Sequence, residues 1–295
     1  MSGYIEKFHA LPPNIRGALF VIMGTAFFVL TDIVVKLTGD RIHPAQMSIF
    51  RYGIGFILLA PLFIRTGRVK LRTKRLKLHF IRAVLATLGQ AGIFYTVIHL
   101  QLADATAMTF TRPLFLTILA IFILKEVVGL HRWCATLIGF AGVIVMIRPF
   151  GGEVDIAWGV ALFTALLFSS GLIIIRILGR DDPPGTILFW YHIFGIIIFA
   201  GPAAYVWVDP TPQEWVLLCL IATFTAIGMN FFVRGFSVGE SSLMGTMEYI
   251  RLVFAALAGY FIFTEVPDIW TWVGAGIIVT ATLYITRHEA KKGKA

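Results

Sequence analysis

Ten apolar stretches dominate this sequence, and each is about as long as a lipid bilayer is thick. A helix needs about 20 apolar residues to cross the hydrocarbon layer, which is roughly 30 Å deep. The 295 residues are 58% hydrophobic and only 14% charged, a composition outside the range of soluble domains. The sequence therefore predicts an all-α membrane protein with ten transmembrane helices, over residues 15–38, 44–64, 78–100, 104–124, 131–147, 156–178, 184–206, 213–236, 241–263 and 269–286.

The chain is built twice over. A shift of 139 positions superimposes identical residues, namely Met108 on Met247, Arg112 on Arg251, Phe122-Ile123 on Phe261-Ile262, Glu126-Val127 on Glu265-Val266 and Trp133 on Trp272. This match predicts one five-helix repeat over residues 1–148 and a second over 149–295. Because five is odd, the second repeat enters the membrane from the opposite side. Inverted halves of this kind usually enclose a substrate site near the midplane and alternate its access, so we expect a secondary transporter.

The basic residues are unevenly distributed along the chain. A net charge of +9 would suggest a nucleic-acid partner in a soluble protein, but the positive-inside rule explains it here. With the N-terminus inside, most of the basic residues fall on the cytoplasmic side, including Arg82 and the loop from Arg65 to Lys77, while Lys36, Arg41 and Arg148 fall opposite. We therefore expect a multi-pass protein of a bacterial-type cytoplasmic (inner) membrane, with both termini cytoplasmic, the lipid bilayer as its surroundings and no nucleic-acid partner.

Each half also carries a family-like pattern near its end. In the first half it reads Ala103-Asp104-Ala105-Thr106-Ala107, Pro113, Lys125-Glu126 and Gly139-Phe140-Ala141-Gly142-Val143. In the second it reads Gly239-Glu240-Ser241-Ser242-Leu243, Thr264-Glu265 and Gly274-Ala275-Gly276, with Leu252 in the place of Pro113. The chain thus resembles the EamA-type repeats of the drug/metabolite transporter superfamily. The resemblance implies a ten-helix inverted-repeat fold, a central cavity lined largely by spans 1, 3, 4, 6, 8 and 9, and transport of small metabolites. It does not imply a matching kink in the ninth span.

Two arginines occupy matching positions inside apolar helices. At 1.5 Å of rise per residue, Arg112 lies roughly 12 Å and Arg251 roughly 16 Å from the nearer helix end, which is too deep to reach water easily. Glu248 lies one turn before Arg251, whereas Thr109 has the matching position in the first half, so two guanidiniums share one nearby carboxylate. We expect at least one arginine to grip an anionic or zwitterionic substrate group. The alternative is structural, with Glu248 bridging both arginines.

Further polar residues complete the candidate sites. The predicted substrate-binding set adds five members to the arginines and Glu248, namely Gln90, Tyr95, Trp190, Asn230 and Tyr249. A second set is predicted to form gates or structural ion pairs, namely Asp32, Lys36, Arg51, Glu126 and Glu265. Asp32 and Lys36 are four residues apart, a spacing that permits an ion pair within one helix.

Other functional classes are less well supported. No phosphate-binding glycine loop occurs, so ATP hydrolysis is not expected, and coupling to protons, exchange with a counter-substrate and facilitated diffusion are left open. His99 and Asp104 have a spacing found in some acyltransferases, but the signal is weak, and we expect neither catalytic residues nor a metal or cofactor. The alternative function is export of cationic or amphipathic compounds by Glu248 and cavity aromatics. Import versus export, and monomer versus homodimer, also stay open.

Overall fold

The computed structural model describes residues 11–39, 41–65, 73–124, 129–148, 155–238, 244 and 247–292, and all regular structure within them is helical. The helices are α1 (Pro13–Thr38), α2 (Pro44–Arg65), α3 (Leu76–His99), α4 (Leu102–Thr109), α5 (Arg112–Leu124), α6 (Leu130–Ile147), α7 (Ile156–Leu178), α8 (Pro184–Tyr205), α9 (Pro212–Val238), α10 (Ile250–Phe263) and α11 (Ile269–Lys292). α4 and α5 together form the fourth predicted span, and α6 to α11 are the fifth to tenth.

The helices have the length and composition of membrane spans. Counting α4 and α5 as one, six of those described are long and apolar enough to cross a bilayer, and shorter apolar helices lie within α6, α10 and α11. Each predicted span contains a helix within the described residues, so the predicted all-helical membrane fold with two five-helix repeats is confirmed.

Corresponding helices of the two halves begin and end alike. α2 begins at Pro44 and α8 at Pro184, and a proline suits the first helical position because its missing N–H would have had no partner there. α1 is followed by Gly39 and α7 by Gly179. Gly39 has a φ of 65°, which a glycine adopts without the steric cost that a Cβ would add.

Glycines allow two helix pairs from opposite halves to pack closely. A Cβ on Gly24 of α1 would lie 2.9 Å from the carbonyl oxygen of Gly228 on α9. A Cβ on Gly142 of α6 would lie equally close, 2.9 Å, to the carbonyl oxygen of Gly274 on α11. Such contacts replace the hydrophobic effect as the source of helix association in lipid. They join the two halves along their length.

Both halves contain a helix interruption directly before the predicted arginine. Phe110 and Thr111 form a turn between α4 and α5, and Glu248 and Tyr249 form a turn before α10. The bonds there span three residues rather than four, as in Thr111 N–H to Met108 O (3.1 Å) and Leu252 N–H to Tyr249 O (3.1 Å). The interruption is present without a proline in the second half, so it belongs to the duplicated scaffold.

Hydroxyl groups satisfy backbone oxygens at the first interruption. Thr282 of α11 donates to the carbonyl oxygen of Phe110 at 3.3 Å, and Ser169 of α7 donates to that of Arg112 at 2.9 Å. Backbone polar groups at membrane depth need partners inside the protein, because lipid offers none. Helices of the second half thus stabilise the broken helix of the first.

Candidate substrate site

The two arginines lie in the first turn after each interruption. Arg112 is the first residue of α5, and Arg251 is the second of α10. Each guanidinium lies over a phenylalanine of the opposite half, Arg251 at 5.9 Å from the ring centre of Phe28 and Arg112 at 4.6 Å from that of Phe168. Broken helices of this kind carry the substrate sites of many inverted-repeat transporters.

Arg251 has a carboxylate partner. Its Nη2 donates to Oδ2 of Asp32 at 2.7 Å, and the two side chains retain only 18% and 10% of their exposure. Phe28 and Asp32 lie one turn apart on α1, so one face of that helix supplies both the ring and the carboxylate. The ion pair therefore links the first helix of one repeat to the broken helix of the other.

Arg112 has no such partner among the described residues. Its Nε is buried without a hydrogen-bond partner there, and no ion pair to it is found in that part of the chain. One turn after Phe168, where α1 carries Asp32, α7 carries Leu172, and α7 contains no acidic residue from Ile156 to Leu178. The phenylalanine contact is duplicated, but the ion pair is not.

Glu248 completes a cluster of four charges. It interacts electrostatically with both arginines, and Asp32, Glu248 and Arg251 all act on Arg112. No hydrogen bond or ion pair to the Glu248 carboxylate is found among the described residues. The expectation that two guanidiniums share one carboxylate is wrong, because Asp32 supplies a second. These four charges are balanced, and in the described part of the chain Asp32 and Arg251 are paired while Arg112 and Glu248 are not.

The expected ion pair between Asp32 and Lys36 is also wrong. Lys36 pairs with Glu265 of the second half, and Asp32 pairs with Arg251. The two side chains share one face of α1, but that face packs against the second repeat. Each side chain therefore pairs with a charge that is far away in the sequence, rather than with its neighbour on α1.

The Lys36–Glu265 pair belongs to a larger network at the end of the bundle where α1 and α10 finish. The network comprises two neighbouring sets of contacts, one among Lys36, Leu100, Leu102 and Glu265 and the other among Asp104, Arg148, Asp268 and Thr271. Glu265 accepts from the backbone N–H of Leu102 at 2.8 Å, and Asp104 accepts from the Thr271 hydroxyl at 2.7 Å. It connects the two halves at this end.

Asp268, in the turn before α11, is held ionised within this network. Partial burial opposes its ionisation, but the backbone N–H groups of Thr271 and Trp270 and the charge of Arg148 together hold the pKa of its carboxyl below the usual value. The same carboxylate accepts from the N–H groups of Trp270 and Thr271 at 2.9 Å. It thus caps α11 and pairs with Arg148.

The predicted polar residues of α3 and α9 differ in their surroundings. Gln90 is buried, at 6% exposure. Tyr95 stacks on His99 at 3.9 Å between ring centres, and Asn230 is exposed on α9. No contact between these three residues and the arginines is found in the described part of the chain, so their predicted role in substrate binding stays a prediction.

The two predicted aromatic residues Tyr249 and Trp190 lie in different parts of the protein. Tyr249 lies in the second interruption, next to Glu248, and packs against Phe110 of the first at 4.8 Å. Trp190 stacks on Phe194 at 5.2 Å, in a different part of the bundle, and its indole N–H has no partner among the described residues. Tyr249 is therefore the better placed of the two beside the charge cluster.

The remaining predicted ion-pair residues have different outcomes. Glu126 lies outside the described residues. Arg51 has no carboxylate partner in the described part of the chain and instead donates from Nη1 to the Tyr191 hydroxyl at 3.2 Å. Arg82, expected on the cytoplasmic side, is buried at 7% exposure because it lies one and a half turns inside α3 and faces α8. The sequence offered one sign of this burial, since Arg82 lies within the predicted span 78–100.

Comparison with known proteins finds a family of transporters that matches nearly the whole chain. The model of the EamA-like transporter family matches residues 15–148 and 156–287. Among similar proteins is an S-adenosylmethionine uptake transporter of Rickettsia prowazekii, 29% identical over 96% of both chains. A riboflavin transporter of Rhizobium johnstonii is 29% identical over 94% of this chain and 92% of its own. A pseudopaline exporter of Pseudomonas aeruginosa is 27% identical over 94% and 97%.

The fold has also been seen in a crystal structure. One solved chain superimposes with a TM-score of 0.64 and 16% identity, covering 94% of this chain and 99% of that one. At this identity the likeness concerns the fold alone. The family and the named relatives are those of transporters of small metabolites rather than of enzymes. With both halves matched by the family model, this multi-pass membrane chain belongs to the EamA-like transporter family.

Proposed function

We propose that this chain is a secondary transporter that moves a small polar metabolite with a carboxylate or zwitterionic group across the cytoplasmic membrane by alternating access. Both termini face the cytoplasm in this proposal, as the distribution of basic residues favours. Residues 1–148 and 149–295 act as the two inverted halves.

The observation that carries the proposal is that neither Arg112 nor the Glu248 carboxylate has an ion-pair partner among the described residues. In a site of low polarity, an unpaired guanidinium and an unpaired carboxylate are each costly. A ligand with a carboxylate for Arg112 and an ammonium group for Glu248 would neutralise both. Hydrogen bonds to charged groups contribute about 1.5–3 kcal/mol each, so such a head group gives useful affinity.

The ion pairs at one end supply a basis for alternating access. The Lys36–Glu265 network joins the two halves where α1 and α10 finish, and that end is the outer one in the proposed topology. In this proposal, substrate enters the four-charge cluster from the cytoplasmic side while the network is intact. Breaking the network would let the halves separate and admit substrate from outside.

Uptake into proteoliposomes tests the proposal. Labelled S-adenosylmethionine, which has an amino and a carboxyl group, would be compared with riboflavin, which has no carboxylate, and with simple organic acids and amines. Arg112→Gln should reduce transport of carboxylate substrates by about tenfold to a hundredfold, the equivalent of one lost charged hydrogen-bond pair. Riboflavin transport should change little.

A suitable control is Arg234→Gln, which removes an exposed arginine of α9. Equal transport of carboxylates by wild type and Arg112→Gln would contradict the proposed recognition. Repeating the assay with and without a pH gradient, and with unlabelled substrate inside the vesicles, separates proton coupling from exchange.

A second candidate function is export of cationic or amphipathic compounds. It is favoured by Glu248, whose carboxylate has no ion-pair partner among the described residues and lies beside Tyr249. Glu248→Gln should then abolish transport of amines while Arg112→Gln spares it. The reverse pattern supports recognition of the carboxylate.

A further inference from the structure

A second group of buried cations lies where α2, α3 and α8 meet. We call it the Tyr191 cluster, and it consists of Arg51, Tyr52, Arg82, Tyr191 and His192. Arg51 Nη1 donates to the Tyr191 hydroxyl at 3.2 Å, and the Tyr52 hydroxyl donates to the same oxygen at 3.0 Å. The guanidinium carbon of Arg82 lies 4.8 Å from the centre of the Tyr191 ring. Two guanidiniums thus share one phenol.

Neither arginine is paired with a carboxylate in the described part of the chain. Tyr191 and Tyr52 are the ionisable groups that act on Arg82. The nearby carboxylate of Asp182 is already engaged, since it accepts from the Thr73 hydroxyl at 2.7 Å and lies 2.8 Å from His79 Nε2. By contrast, Arg41, Arg75, Arg148 and Arg251 all pair with carboxylates. The Tyr191 cluster therefore carries an excess of positive charge.

Arg82 also has unused hydrogen-bond donors. It is more than nine-tenths buried, with 7% exposure. A guanidinium has five N–H donors, yet one long bond of 3.3 Å, from Nη1 to the Ile187 carbonyl oxygen, is found. Its Nε has no partner among the described residues. Ring contacts recover part of the cost of a buried cation, but they do not satisfy N–H groups.

We propose that Arg51, Arg82 and Tyr191 form a binding site for an oxyanion of the phosphate or carboxylate type. Two planar guanidiniums beside a hydroxyl donor suit such a group, which accepts several charge-assisted hydrogen bonds at once. The site is separate from the four-charge cluster, because the charges that act on Arg112 are Arg251, Glu248 and Asp32. The proposal of an anion site therefore needs no assumption about the transported substrate.

The anion can come from the membrane or from solution. Arg82 lies six residues from the start of α3 at Leu76, about 9 Å at 1.5 Å per residue. An anion therefore reaches it from one end of the bundle without crossing the membrane midplane. A phospholipid phosphate and free inorganic phosphate offer the same oxygens to the site.

The experiment measures thermal unfolding of the full chain in lipid-depleted detergent. One arm adds inorganic phosphate at constant ionic strength, with chloride as the control salt. The other adds phosphatidic acid, with diacylglycerol as the same lipid without its phosphate. The site predicts a saturable rise of the unfolding midpoint in at least one arm, and the arm that responds identifies the source.

Variants connect the response to the site. Arg82→Gln and Arg51→Gln should each weaken the apparent affinity by about tenfold or more, as expected for loss of charged hydrogen bonds. Tyr191→Phe keeps the ring under Arg82 and should weaken the apparent affinity for the anion less. Arg234→Gln, on the exposed face of α9, should respond as wild type. If one arginine variant fails to fold, the other and Tyr191→Phe carry the test.

Two results would overturn the proposal. The first is a response that is absent in both arms, or equal in wild type and in the folded variants of the cluster. The second is a tyrosinate absorbance band at neutral pH that disappears in Tyr191→Phe, because the phenolate would then balance the arginines without an external anion.

Discussion

The two halves of this transporter share a scaffold but differ in how they hold their arginines. Arg251 follows a helix interruption, lies over Phe28 and pairs with Asp32. Arg112 follows the matching interruption and lies over Phe168, but Leu172 stands one turn further along α7. The backbone feature and the ring contact were kept in both copies, while the carboxylate is found in one. Arg251 therefore links the two halves, whereas Arg112 has no carboxylate partner among the described residues and, under the proposed function, is available to a ligand.

The largest expected effect comes from breaking the paired arginine. Arg251→Gln leaves the Asp32 carboxylate largely buried without its cation, and removal of one partner of a buried pair costs about 3–5 kcal/mol. The free energy of unfolding, measured with a denaturant in detergent, should fall by that amount. Arg112→Gln should change this free energy far less, because it breaks no ion pair among the described residues.

The double variant Arg251→Gln with Asp32→Asn sharpens this comparison. The double variant should recover much of the lost free energy of unfolding, since Asp32→Asn removes the uncompensated carboxylate charge. Equal destabilisation by Arg251→Gln and Arg112→Gln would mean that the two halves do not differ in the way described.

The second prediction gives the first half the carboxylate that it lacks. Leu172→Asp introduces an acid one turn after Phe168, as Asp32 follows Phe28. A new partner for Arg112 competes with a substrate carboxylate, so the apparent affinity should fall by about tenfold, equivalent to 1.4 kcal/mol. Substrate concentration dependence of uptake measures it.

Leu172→Asn is the matched control, because it has nearly the same shape without the charge. An unchanged affinity in Leu172→Asp would show that α7 does not present this position to Arg112. A loss in both variants would point to packing rather than to charge.

These comparisons also indicate what the sequence could reveal. Arg112 and Arg251 were found from the duplication, because identical residues at matching depth in apolar helices are rare. The partner of Arg251 was missed, since Asp32 lies 219 positions away and Lys36, four residues from it, offered a simpler local pair. Local spacing describes one helix, whereas the choice of ion pair depended on how the two repeats pack.

Burial was likewise harder to predict than helix formation. The ten spans follow from composition alone, and they were found. The distribution of charge along the chain predicts Arg82 on the cytoplasmic side, whereas its side chain packs against Tyr191 inside the bundle. The second helix interruption was not expected either, because Leu252 replaces the proline. Both features depend on neighbouring helices that no single stretch of sequence contains.

The third prediction concerns the network that joins the halves at one end. Lys36→Gln removes a mostly buried ion pair to Glu265, and a loss of about 1 kcal/mol shifts the closed-to-open ratio roughly fivefold. Leu102 is fully buried and its backbone N–H belongs to the network, so a cysteine at this position can report opening of this end. The probe is Leu102→Cys, in a background where Cys134→Ser and Cys219→Ser remove the two native thiols. Its thiol labelling rate should rise by about the same factor.

Arg41→Gln provides the control at the same end, because it removes the exposed ion pair to Glu214. Exposed pairs contribute little, so labelling of Leu102→Cys should hardly change. If both variants raise the rate equally, the Lys36–Glu265 pair has no special part in closing this end.

The smallest expected effect concerns the backbone at the unpaired arginine. The single O–H of Ser169 is shared between the carbonyl oxygen of Arg112 at 2.9 Å and that of Ala165, in its own helix, at 2.7 Å. Ser170, its neighbour, bonds only to Leu166 of its own helix among the contacts described. Ser169→Ala should therefore lower the free energy of unfolding by about 1 kcal/mol, while Ser170→Ala should lower it less. Because no carboxylate among the described residues pairs with the Arg112 guanidinium, we expect its position to depend on this backbone contact, and Ser169→Ala should also weaken substrate binding. A loss of stability without any change in substrate affinity would mean that the free arginine is positioned by its contact with Phe168 rather than by the interrupted backbone.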